Sequence, residues 1–154
     1  MSANPFVPDG FTAPRELATD RFRLEPLGGQ HNEADHAAWT SSIDHIRSTP
    51  GFESRDWPPA EGMPLERNLD DLVRHADDFE RRTGFTYTVL EPGSGDVIGC
   101  LYIYPSRKKE GEVDVRSWVR ADHAELDAPL YEAVSDWLVR EWPFPADAVV
   151  YAGR

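Results

Sequence analysis

The sequence has a single cysteine, no long apolar run and a shortage of basic residues. With only Cys100, no internal disulfide can form, so nothing in the chain calls for an oxidising compartment. Cys100 follows Gly99 inside an apolar run, a setting for a packed thiol rather than a reactive one. No apolar stretch approaches the roughly 20 residues that cross a bilayer, and the start has no basic-then-apolar leader pattern. A cytoplasmic location is the expectation. Lys and Arg number 16 against 28 Asp and Glu, for a net charge of −12. That balance excludes a general affinity for nucleic acid, which needs clustered cations, and disfavours an anionic membrane surface. It suits solubility, and it would steer a cationic small molecule or peptide. The histidines His31, His36 and His45 lack the four-residue spacing that puts metal ligands on one helix face, so no metal site is expected. No spacing identifies a Ser-His-Asp or Cys-His set.

What is present suits one domain: 154 residues, 40% of them hydrophobic. Residues 1–16 read as an irregular arm, with Phe6 and Phe11 available to pin it, and residues 17–154 as the domain. Phe22 and Leu24 alternate with Arg21, Arg23 and Glu25, the period of a half-buried strand. A helical pattern over 33–48 follows, with Asn32 as a candidate cap and Pro50-Gly51 as its stop. Trp57-Pro58-Pro59 anchors a loop. Leu65, Leu69, Leu72, Val73, Ala76 and Phe79 form an apolar stripe at helical spacing, with Gly84 where a C-terminal glycine belongs. Three strand patterns come next, over 85–89, 97–104 and 113–119. A helix is predicted through Leu130, Val134, Trp137 and Leu138, stopped by Pro143. Ala148–Tyr151 is a short closing strand. A helix joining two strands implies a parallel pair, so the fold class is α+β: a mixed, mainly antiparallel sheet flanked by helices.

This order, and several local pieces, resemble the GNAT N-acetyltransferase superfamily, in particular the branch acting on ribosomal-protein N-termini. Leu17-Ala18-Thr19-Asp20-Arg21-Phe22-Arg23-Leu24-Glu25-Pro26 is similar to that branch's opening strand, with Glu25 in place of a usual arginine. Val97-Ile98-Gly99 is similar to its third strand. Ser117-Trp118-Val119-Arg120 is similar to the end of its fourth. The resemblance implies a GNAT fold and acetyl-CoA as cofactor, lying in the splay between the fourth and fifth strands. Its pantetheine would pair with backbone near Val119, and its pyrophosphate would rest on a glycine-rich turn opening the next helix. An amine would attack the thioester, with a carboxylate or water taking its proton and a late tyrosine protonating the thiolate.

Two departures qualify that expectation. The turn reads Arg120-Ala121-Asp122-His123-Ala124-Glu125-Leu126-Asp127-Ala128, without glycine. Asp122, Glu125 and Asp127 would face a dianionic pyrophosphate. One such pair at about 4 Å is unfavourable by about 4 kcal/mol at an effective dielectric of about 20, more than the roughly 2 kcal/mol a helix dipole returns. Asp127 also suits a helix N-cap. The family's further helix and two strands, with the tyrosine, have no counterpart before Arg154, so the sheet is expected to stop after its fifth strand, and a homodimer could cover that edge.

By the resemblance, Glu112 and Asp114 stand where a general base falls, and Arg116, Trp118, Val119 and Arg120 where the acyl donor is held. Glu112 and Asp114 suit a solvated strand start better than a general-base role, and Arg116 and Arg120 equally suit ion pairs with neighbouring acids. Arg107-Lys108-Lys109 reads as a solvated turn. Trp57, Tyr102 and Tyr104 are candidates for the walls of a substrate cleft, or for core with polar tips. The functional expectation is a GNAT-like protein impaired in standard acetyl-CoA binding and acting as a non-catalytic ligand- or partner-binding protein. The alternative is an acyl-CoA-dependent N-acetyltransferase for a small-molecule or N-terminal amine.

Overall fold

Alternating apolar residues build the sheet. The computed structural model describes residues 5–53 and 56–154. The strands are β1 (Leu17–Ala18), β2 (Arg23–Pro26), β3 (Phe85–Leu90), β4 (Val97–Pro105), β5 (Val113–Val119) and β6 (Val149–Tyr151). They lie side by side in chain order, antiparallel except for the parallel β5–β6 pair, which is joined through a helix. The helices are α1 (Asn32–Thr40), α2 (Ile43–Arg47), α3 (Leu65–Arg81) and α4 (Asp127–Glu141). The sheet therefore has one strand more than expected, because Leu17–Ala18 pairs with Leu24 and Arg23.

Both sheet faces are buried, which explains the near-continuous apolar run of β4. Val113, Val115 and Val119 of β5 join Leu130, Val134, Trp137 and Leu138 of α4 in one core. The opposite face carries Cys100 and Trp118, packed with Ala38 and Trp39 of α1, Leu72 of α3 and Phe52. The N-terminal segment adds Val7 and Ala13 to the first core. Phe6 stacks near Phe85, and Phe11 lies 5.3 Å from Trp142, so the phenylalanines do pin it.

Local chemistry corrects several sequence expectations. The single helix over 33–48 is two helices, broken at Ser41-Ser42, where the Ser41 hydroxyl donates to the Ala38 carbonyl. Asn32 does not cap α1 with its side chain. It reaches across to the Leu65 carbonyl and to Asn68. Asp127 likewise begins α4 rather than capping it, because its carboxylate is held by Arg154. The left-handed residue ending α3 is Arg82, with φ 63°, not Gly84. Gly84 is required for a different reason: a Cβ there would run into the Tyr104 ring. Gly99 is needed because the Trp118 backbone carbonyl lies where its Cβ would point. Of the α3 stripe, Leu72 and Phe79 are buried, while Leu65, Leu69 and Val73 stay 39–47% exposed along its flank.

Candidate functional site

A cleft of about 1110 Å³ opens on the α1–α3 side of the sheet. Strand alternation puts Tyr102 and Tyr104 of β4, and Asp114 and Arg116 of β5, on this face. Facing them, α3 presents Asn68, Asp71, Leu72, His75 and Asp78, residues spaced three and four apart along one helix stripe. The loop after α2 supplies Trp57. Its ring lies 5.4 Å from Trp39, 6.3 Å from Tyr102 and 6.2 Å from Trp118. Trp118 Nε1 donates to the Tyr102 hydroxyl at 3.0 Å, which fixes the aromatic floor. Arg116 lies over Phe52 and Tyr102, 5.3 and 5.4 Å from the ring centroids, and 3.5 Å from the Asp114 carboxylate.

Two titratable groups in the cleft are set by burial. Asp35 of α1 is only 4% exposed, and its carboxylate accepts from Asn68 Nδ2 at 3.2 Å. Burial pushes its acid constant from 3.8 up to about 6, with the Asn68 bond opposing. Asn68 is itself oriented by Trp39 Nε1, which donates to its carbonyl at 2.9 Å. His75 is pushed down to about 4, first by burial and then by the Arg74 charge, so its imidazole is neutral at neutral pH. Its tautomer follows from counting hydrogens. Tyr104 donates its one hydroxyl hydrogen to Asp78 at 2.9 Å. The Tyr104 oxygen, 2.8 Å from His75 Nδ1, is then an acceptor, so Nδ1 carries the proton. Thr86 Oγ1 lies 3.0 Å from the same nitrogen. The Nε2 lone pair is left for the cleft.

The structure brings together six of the residues singled out from sequence: Trp57, Tyr102, Tyr104, Glu112, Asp114 and Arg116 all line this cleft. The exposed Arg107 and Lys108 line its outer mouth rather than only a solvated turn. The acyl-donor group is split. Trp118 is fully buried beneath the floor, and Val119 faces the α4 core and pairs with Gly99. Arg120 is held at the far end of β5 by Asp122 and the Val97 carbonyl. Among the described residues no group of three or more His, Cys, Asp or Glu is placed to hold a metal, and no helix is long and apolar enough to cross a membrane.

β6 ends at Tyr151, opposite Val115, while β5 runs on to Val119, and Arg154 packs between this stretch of β5 and the start of α4. Its side chain is 4% exposed and lies between the Tyr131 and Tyr151 rings. It donates to the Ser117 carbonyl at 2.7 Å and to Asp127 at 2.6 Å. Tyr151 and Ser117 hydroxyls meet at 2.5 Å. In the following turn, the Ala121 N–H donates to Ser42 Oγ at 2.8 Å and the His123 N–H to the Arg120 carbonyl at 2.9 Å. The acidic Asp122 is exposed and paired with Arg120.

This mixed, mainly antiparallel sheet flanked by helices has the fold of solved acetyltransferases. One is the ribosomal-protein-S5-alanine acetyltransferase from Vibrio fischeri, at 10% identity and TM-score 0.60, covering 81% of this chain and 67% of that one. Another is the microcin C7 self-immunity acetyltransferase in complex with acetyl-CoA and AMP: 11% identity, TM-score 0.62, 85% and 68%. A third is the ribosomal α-N-protein acetyltransferase RimL in complex with coenzyme A: 11%, 0.63, 80% and 64%. The chain has the GNAT fold. It spans about two thirds of the length of these GNAT structures. No protein-family model and no curated protein sequence matches it.

Asp35, His75 and Arg154 were not singled out from sequence. For His75 a signal existed: it is three residues beyond Leu72, on the inward stripe of an amphipathic helix, where a polar residue is costly unless it has work to do. Arg154 carried no local signal, since its partners are 27 and 37 residues away.

Proposed function

We propose that this GNAT-fold protein binds a cationic small molecule in the α1–α3 cleft and does not take acyl-CoA in the manner its fold implies. The observation that carries this reading is the Arg154 clasp. In the splay where the fold would receive a pantetheine arm, the Ser117 carbonyl already accepts from Arg154, and Asp127 is engaged by the same guanidinium. The turn that would receive a pyrophosphate spends its Ala121 and His123 N–H groups internally and presents Asp122 and Glu125. An anion there would meet carboxylates and few available donors. The residues in that place do not fit acetyl-CoA.

Chemistry in the cleft supports ligand capture. Aromatic rings offer faces to a cation. Asp35 is a buried carboxylate without an ion-pair partner among the described residues. Glu112 and Asp114, the acids first considered as proton acceptors, serve in this reading as parts of the acidic wall. The test is transfer of the acetyl group from acetyl-CoA to a panel of small and N-terminal amines, read as free thiol release. No turnover is expected, and acceptor-dependent thiol release would overturn the reading in favour of an acyl-CoA-dependent N-acetyltransferase.

A further inference from the structure

We propose that the cleft binds a linear diamine or polyamine, one terminal ammonium resting on the Asp35 carboxylate, a second nitrogen donating to His75 Nε2, and the carbon chain lying along Leu72, Trp57 and Tyr102. The proposal rests on reading the cleft as the ligand site. Its first support is that the cleft holds two acceptors at different depths. Asp35 is bonded to Asn68, and His75 follows seven residues later on the same stripe of α3. Seven residues of helix rise about 10 Å, the length of about eight extended single bonds. A ligand that satisfies both acceptors is long, and it carries a donor at each end.

Its second support is what lies between. Leu72 is buried, Trp57 is half-buried, and Tyr102 is tilted 52° against the His75 ring at 5.8 Å. This wall is apolar and aromatic, matched to methylenes and to the cation next to them. The third support is charge. Asp35 is kept from water and accepts a hydrogen bond from a neutral amide, so an arriving ammonium supplies a counter-charge that no described residue brings to it as an ion pair. Among the described residues, the cations of the cleft are engaged elsewhere or lie in solvent. Arg74 is paired with Asp71, and Arg116 lies against Asp114, Phe52 and Tyr102. Arg67, Arg107 and Lys108 are exposed, where solvent screens them. The net charge of −12 draws a polycation toward the molecule as a whole.

The test is calorimetric titration of the full chain with diaminopropane, diaminoheptane, spermidine and heptylamine, alongside Asp35→Asn and His75→Asn. Asparagine at 75 keeps a donor near the position of Nδ1 and lacks the Nε2 acceptor. Diaminoheptane and spermidine are expected to bind at least about tenfold more tightly than heptylamine or diaminopropane, and each variant to weaken them by about ten- to a hundredfold. Melting curves confirm that both variants fold. No binding, equal affinity across the series, or an Asp35→Asn protein that binds like the wild type would each overturn the proposal. Acetyl-CoA titrated separately distinguishes the two failures. Its binding would sink the reading of the closed acyl-donor slot and leave the diamine series standing, whereas a flat diamine series without acetyl-CoA binding would sink the polyamine proposal alone.

Discussion

Replacing Asp35 by asparagine should make the fold more stable at neutral pH while weakening the cleft for amines. Asp35 is 4% exposed, and burial raises its acid constant from 3.8 to about 6. The folded state therefore binds the Asp35 proton more tightly than the unfolded chain. That stabilisation is complete below about pH 4 and is lost as pH rises through about 6. A difference of about two units corresponds to about 3 kcal/mol of stability missing above pH 7. Asparagine has no charge to lose, and its carbonyl can still accept from Asn68. The gain at pH 7.5 should therefore be about 2 kcal/mol, after allowing about 1 kcal/mol for an imperfect amide partner. In a domain of this size that is a rise of about 4 to 8 °C in melting temperature. Urea denaturation of both proteins at pH 4 and pH 7.5 reads the effect directly. The variant's advantage should appear at pH 7.5 and vanish at pH 4. An advantage equal at both pH values, or a loss at pH 7.5, would refute the assignment of Asp35 as a buried, unpaired acid. A residue that costs stability and gains ligand is the pattern expected of a functional group rather than a packing one.

Further outcomes follow from the same geometry. Arg154→Ala should cost about 3 to 5 kcal/mol in urea denaturation, because it leaves Asp127 and the Ser117 carbonyl inside the β5–α4 gap without their buried guanidinium. A loss under about 1 kcal/mol would mean that the clasp is not closed in solution. Nitrogen NMR of His75 should report the Nδ1-protonated neutral imidazole from pH 5 to 8, with protonation only near pH 4; an Nε2-protonated ring would contradict the Tyr104–Asp78 chain. Gly84→Ala should displace the Tyr104 ring and cost about 1 to 3 kcal/mol, while Gly99→Ala should cost more, since its Cβ meets the Trp118 backbone rather than a movable side chain.

Much of the fold was legible because periodicity reports burial. The strand patterns at 85–89, 97–104 and 113–119 became β3, β4 and β5, and the helix-crossover rule placed β5 and β6 parallel. What failed was local chemistry overridden by distant partners. Asn32 and Asp127 look like caps, yet Leu65, Asn68 and Arg154, far along the chain, claim their side chains. The helix over 33–48 hides a break, because Ser41 and Ser42 are weak signals against an otherwise helical spacing. Six residues that line the cleft were singled out in different roles, Trp57, Tyr102 and Tyr104 as substrate walls, Glu112 and Asp114 as general-base candidates and Arg116 as an acyl-donor contact, through strand alternation and their place in the GNAT pattern. Asp35 and His75 were not, because a buried acid and a neutral histidine acquire their character only from what surrounds them. Trp118 and Val119 end β5 and Arg120 follows it, yet the three have three different surroundings, which alternation alone cannot assign to a single ligand.

The central claim, that Arg154 and the acidic turn close the acyl-donor slot of this GNAT fold, is tested most directly by the melting temperature of the wild-type protein with and without millimolar acetyl-CoA. A ligand at 100 times its dissociation constant stabilises by about 2.7 kcal/mol, a shift of about 5 to 10 °C here. The account predicts no shift. A saturable rise would show that the splay between β5 and β6 opens to receive the cofactor, and would contradict it.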